Sequence, residues 1–104
     1  MAKTMYTIEM DYQNAKKQAD ELDQIAKSLG MLADQQFQSC LSAVAACWKG
    51  ENAAAFCKKG NIVGNNIKNS ADELKETAAV IRQMAENTYE AEKKNYEIAK
   101  AGCS

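Results

Sequence analysis

Two apolar stripes run along the chain, and both carry a helical period. Tyr12, Ala15, Ala19, Leu22, Ile25, Leu29, Ala33, Phe37, Cys40, Val44 and Trp48 recur every three or four positions. This follows the 3.6-residue turn and predicts one nearly straight helical face. The opposite face, with Lys16, Asp20, Glu21, Lys27, Asp34 and Gln38 among others, reads as solvated surface. The second stripe is Phe56, Gly60, Val63, Ile67, Ser70, Leu74, Thr77, Ile81, Met84, Thr88 and Ala91, stepping by fours and threes like a coiled-coil seam. Between the stripes lies Trp48-Lys49-Gly50. Gly50 suits the left-handed conformation just past a helix end, Lys49 suits the carbonyl end of helix 1, and Glu51 and Asn52 suit the start of helix 2. The pattern predicts one domain over 1–104: an N-terminal arm over 1–10, helix 1 over 11–47 capped by Asp11, a turn over 48–50, and helix 2 over 51–100.

Two features strain this division. Gly30 costs about 1 kcal/mol relative to alanine inside helix 1. Gly60-Asn61-Ile62-Val63-Gly64-Asn65-Asn66 is poor helix material, and Ser70-Ala71-Asp72-Glu73 has the form of a capping box. A break near 64–69 is the second choice to one continuous helix, since the apolar spacing passes through without a phase jump. Counting outward from Lys49 puts residue 11 level with residue 87. Residues beyond about 88 are then expected to overhang, leaving Tyr89, Tyr96 and Ile98 with no helix 1 to rest on.

The expected architecture is an all-α antiparallel two-helix hairpin. Its seam and interface residues are Leu22, Ile25, Leu29, Phe37, Val44, Phe56, Val63, Ile67, Leu74, Ile81 and Met84. Met5, Met10, Met31, Leu32, Leu41, Val80 and Tyr89 broaden these rows beyond what one partner helix covers, so dimerisation into a four-helix bundle is the natural completion.

Composition removes several kinds of function. The chain contains no proline, which permits long helices, and its net charge of -1 with a single arginine, Arg82, offers no field for nucleic acid. No apolar run approaches the roughly 20 residues that span a bilayer, and Met1-Ala2-Lys3-Thr4 leads into no signal-peptide core. There is no histidine, and Cys40, Cys47, Cys57 and Cys103 form no CxxC pair, so neither a metal site nor a cofactor is expected. Small apolar packing is the default reading of these cysteines. Cys40 and Cys57 nonetheless fall at nearly the same level of the hairpin, which allows a disulfide without implying one. The carboxylates Glu73, Glu76, Glu86 and Glu90 are spread among lysines along a helix and describe solvation. No acid-base or nucleophilic machinery is visible, and neither an enzyme nor a small-molecule substrate is expected.

Trp48-Lys49-Gly50 in the turn of a helical hairpin of this length resembles the WXG family, the early-secreted-antigen-like proteins of type VII secretion. The resemblance covers the whole chain. It implies a protein that folds in the cytoplasm and is secreted without a cleavable signal peptide. The implied partners are a second copy, or a paralogous or effector hairpin, and the type VII export ATPase. It also implies that Trp48 and Gly50 form a turn and export motif, although Trp48 equally suits an anchor that closes the hairpin. The family's tail signal is a tyrosine followed four residues on by an acid. Here Lys93 follows Tyr89 and Lys100 follows Tyr96 at that spacing, while Tyr89 and Glu92 offer the pair one residue closer. The alternative to a secreted factor or export partner is an intracellular four-helix-bundle or coiled-coil adaptor. A weaker third reading is a thiol-dependent protein using Cys40 and Cys57.

Overall fold

The computed structural model describes residues 3–47 and 50–102. It is an all-α helical hairpin. Helix α1 spans Met5–Met31, a π-helical turn follows over Leu32–Gln36, α2 spans Phe37–Cys47 and α3 spans Glu51–Gly102. No strand occurs among the described residues. Trp48 and Lys49, two of the three residues of the sequence motif at the turn, lie outside them, as does Cys103.

Gly50 has φ of +106°, as expected of a glycine at this bend, and its carbonyl accepts the first α3 hydrogen bond, from the Ala54 N–H at 3.1 Å. Helix α3 then runs unbroken through 64–69, so the poor helix formers there do not interrupt it. A Cβ on Gly60 would run into Leu41 Cδ2, and one on Gly64 would lie 3.2 Å from the Phe37 ring. These glycines let two backbones approach, and that fit outweighs their low helix propensity.

The arm expected over 1–10 is helical from Met5. Thr4, not Asp11, is the cap: its Oγ1 accepts the Thr7 N–H at 3.1 Å and its carbonyl accepts the Ile8 N–H at 3.0 Å. Tyr6, Ile8 and Met10 alternate as a strand would, yet only Ile8 is buried. The step from Ile8 to Tyr12 to Ala15 simply extends the helical stripe backwards.

The chain divides into two compact units, Met1–Leu22 with Glu76–Ser104, and Asp23–Lys75. In both, rising numbers on one side meet falling numbers on the other, which makes each an antiparallel pair. The first unit holds Asp20 against Arg82 and Glu9 against Tyr89. The second holds Asp34 against Lys68, and Cys57 Sγ within 3.9 Å of the Leu41 carbonyl.

The innermost row is made of small residues. Ala19, Ala26 and Ala33 follow one another by sevens on the first strand of the hairpin, and Gly64, Ala71 and Ala78 do so on α3; all are buried, with Ala19, Ala26 and Ala78 fully so. This corrects the seam expected from the bulky residues. Ile25, Phe56, Val63 and Met84 remain 52, 48, 47 and 62% exposed, while Leu22, Leu29, Phe37, Val44, Ile67, Leu74 and Ile81 are half-buried beside the alanine row. Small side chains win the innermost positions because they permit a shorter distance between helix axes. The π turn adjusts the register: Leu41 follows Ala33 by eight, and Phe37 follows Leu29 by eight, one more than a heptad. Its marker is the Phe37 N–H donating to the Leu32 carbonyl.

Candidate interaction face and tail

An α-helix turns by about 100° per residue, which separates the two flanks of the alanine row. In the second unit the ion-paired flank and the open apolar groove lie on different sides; in the first, apolar and tied polar residues share one groove. In the second unit the tie is Lys68 Nζ to Asp34 Oδ1 at 2.9 Å. On the opposite flank Phe37, Leu41, Val44, Phe56, Gly60 and Val63 line an open groove of about 600 Å³. In the first unit Arg82 Nη2 meets Asp20 Oδ1 at 2.6 Å, and a groove of about 260 Å³ is lined by apolar Ile8, Ala15, Ile81 and Met84 at one part and by the tied Asp11, Tyr12, Tyr89 and Glu92 at another. Among the described residues no polar side chain is buried, and no bulky side chain is fully enclosed.

Each expected interface residue thus has a definite place. Phe37, Val44, Phe56 and Val63 line the groove of the second unit, and Ile81 and Met84 that of the first. Leu22, Leu29, Ile67 and Leu74 are half-buried, and Ile25 is 52% exposed. Cys40 lines the 600 Å³ groove and Cys57 points into the seam, and both are free thiols, as is Cys47. The bridge allowed by level counting is not formed, because the level partner of Cys57 is Leu41.

The tail does not overhang at Tyr89. Its hydroxyl donates to Glu9 Oε1 at 2.6 Å, the short distance of a charge-assisted bond, and its ring stacks on Tyr12 with centroids 4.6 Å apart. Lys16 and Lys93 ammonium groups lie 5.2 Å from the Tyr12 and 6.0 Å from the Tyr89 ring centroid, respectively. Glu92 pairs with Lys3 at 3.1 Å, and Lys3 also reaches Asp11 at 2.9 Å. Tyr96 lines a further groove with Lys3 and Ile8; only Ile98, 60% exposed, fits the expected overhang. Hydrogen bonding to Glu9, with a smaller part from burial, raises the Tyr89 phenol above its ordinary 10.0. Hydrogen bonds that Lys3 donates to Asp11 and then Glu92 raise its ammonium above the ordinary 10.5, and the bond to Asp34 does the same for Lys68. The N-terminal partners of Tyr89 were missed because the first ten residues were read as an arm; the signal was the continuing three-four spacing through Ile8.

No family model, curated protein or solved structure matches the chain.

Among the described residues no cluster of Cys, Asp and Glu could hold a metal ion, and no helix is long and apolar enough to cross a membrane. What the two units present is apolar surface beside a tied polar flank, which is the chemistry of protein association.

Proposed function

We propose that this chain is a small protein of the WXG type that associates with a second helical hairpin, its own copy or a related chain, and leaves the cell through a type VII secretion system, either as the secreted factor or as the partner of an effector. The observation that supports the association is the open apolar groove of the second unit, lined by Phe37, Leu41, Val44, Phe56 and Val63, together with the 62% exposed Met84 of the first. A hairpin whose fully buried residues are alanines removes little apolar surface by itself. Burial of Phe56, Val63, Leu74, Ile81 and Met84 against a second hairpin completes a four-helix core.

In this reading Trp48 and Gly50 form the turn and export motif, and Tyr89 with Glu92 forms the tail element offered to the export ATPase. The positive φ of Gly50 and the joint engagement of Tyr89 and Glu92 by the N-terminal residues are consistent with those assignments.

The test has two arms. Val63→Glu and Met84→Glu place a charge on the apolar flank, and analytical ultracentrifugation is expected to show the wild type as a dimer at micromolar concentration and the variants as monomers. A monomeric wild type removes the association reading, unless co-purification from the native cell recovers a different hairpin. Trp48→Ala is expected to keep helicity and association and to disappear from the culture medium. If it is exported as well as the wild type, the secretion reading fails and an adaptor without an export role takes its place.

A further inference from the structure

We propose that residues 3–12 act as an intramolecular cover over the Tyr89 and Glu92 face of α3, so that recognition of this tail face by a partner requires the N-terminal turns to be displaced. The proposal rests on the reading of Tyr89 and Glu92 as the recognised tail element, and adds the control placed upon it. Both residues are occupied by the same short stretch. Tyr89 has its hydroxyl on Glu9 at 2.6 Å and its ring on Tyr12 at 4.6 Å, and Glu92 has its carboxylate on Lys3 at 3.1 Å. A receptor that reads the phenol and the acid together would have to compete for the groups these N-terminal residues already satisfy.

The cover is built to stay down and yet to come off. Ile8, 2% exposed, is its one buried bulky side chain, and Thr4 caps the turn that carries it. The other ties are half-exposed or exposed: the Tyr12 ring stacked on Tyr89, and the polar contacts of Lys3 and Glu9 at the start of the helix, where the first turns fray most readily. Lys3 is shared between Glu92 and Asp11, so leaving Glu92 does not strip it of a partner. A displacing partner would remove Lys3 and Glu9 from the tail while α1 beyond Tyr12 stays in place. This contact is at the end of the chain where a period-two pattern suggested no helix at all.

The experiment compares wild type, the double variant Lys3→Ala/Glu9→Ala, Tyr89→Ala and Glu92→Ala. The double variant changes two polar side chains and keeps Ile8, Tyr89 and Glu92. Hydrogen exchange followed by mass spectrometry is expected to show residues 3–12 and 86–96 exchanging several-fold faster in the double variant. In the native cell its medium-to-cell ratio is expected to rise several-fold, while Tyr89→Ala and Glu92→Ala lower theirs. Unchanged exchange in the double variant would overturn the cover. Faster exchange with unchanged or reduced export, alongside impaired export of Tyr89→Ala, would also overturn it and leave the tail reading standing. Normal export of both Tyr89→Ala and Glu92→Ala would overturn the tail reading and the cover with it. Should the double variant lose helicity by circular dichroism, Lys3→Met/Glu9→Met, which keeps long side chains of good helix propensity and removes both polar ties, replaces it with the same expected outcomes.

Discussion

The two units are joined by the same helices and held by different means. Residues 23–75 close by steric fit: Gly60 admits Leu41, Gly64 admits the Phe37 ring, and Asp34 pairs with Lys68 on the flank. The unit formed by the chain's two ends closes by polar ties, with Asp20 on Arg82, Glu9 on Tyr89, and Lys3 on both Asp11 and Glu92. Steric fit depends on apolar burial and is barely altered by salt, whereas exposed ion pairs weaken as ionic strength rises. The lesson is a division of labour. Both units bury alanines, but the unit of the two ends adds exposed ion pairs and the Tyr89–Glu9 bond, and these are the ties that competing charges weaken.

The comparison breaks most severely at Leu41. This side chain is 7% exposed and fills the space over Gly60, so Leu41→Ala removes the central fit of residues 23–75. The expected loss is roughly 2–4 kcal/mol, the usual range for such a truncation, with a fall in melting temperature on the order of 10 °C or more by circular dichroism. A change within a degree or two would mean that Leu41 holds nothing and that the ion pair carries this unit.

Glycine substitutions sharpen the same point by differing in sign. At Gly60 a methyl meets Leu41, and overpacking of about 1–3 kcal/mol outweighs the ~1 kcal/mol that alanine contributes to helix propensity, so Gly60→Ala should destabilise. At Gly30 a Cβ meets nothing within 4 Å and φ is not positive. Gly30→Ala should therefore stabilise by up to about 1 kcal/mol. Denaturant melts of the two variants read the signs directly, and two gains would show that the close approach at Gly60 is not a constraint.

These glycines also mark where sequence reading reached and where it stopped. The helical hairpin was legible because proline is absent and the three-four spacing persists on both sides of Gly50. The identity of the seam was not. Periodicity weights bulky side chains, so Phe56, Val63 and Met84 drew the reading outward, while the alanines that let the backbones meet carry little hydrophobic signal of their own. The π turn left a trace in the sequence: Ile25, Leu29, Ala33 and Phe37 step by four three times running, which overshoots a 3.6-residue turn by about one residue in all. At the tail, Tyr89 and Glu92 were singled out, but their partners were not, because a period of two across Tyr6, Ile8 and Met10 concealed a helix whose cap, Thr4, sits seven residues before the Asp11 expected there.

The smallest effect expected is a pH dependence, and it should separate the units. Lys3 and Tyr89 in one, and Lys68 in the other, have their pKa values raised in the folded chain, above 10.5 for the lysines and 10.0 for the phenol. A raised folded value means the protonated form is favoured by folding. The stabilisation is therefore complete below the unfolded value and is lost as pH climbs through the folded one. Stability should be flat from neutral pH to about 9 and then decline above 10, first where the phenol and Lys3 release Glu9, Glu92 and Asp11. Site-resolved hydrogen exchange, corrected for the intrinsic pH effect on exchange rates, is expected to show residues 3–12 and 86–96 loosening before residues 56–68. Earlier loosening around Gly60 would invert the comparison, because it would place the titrating ties in the unit that steric fit holds shut.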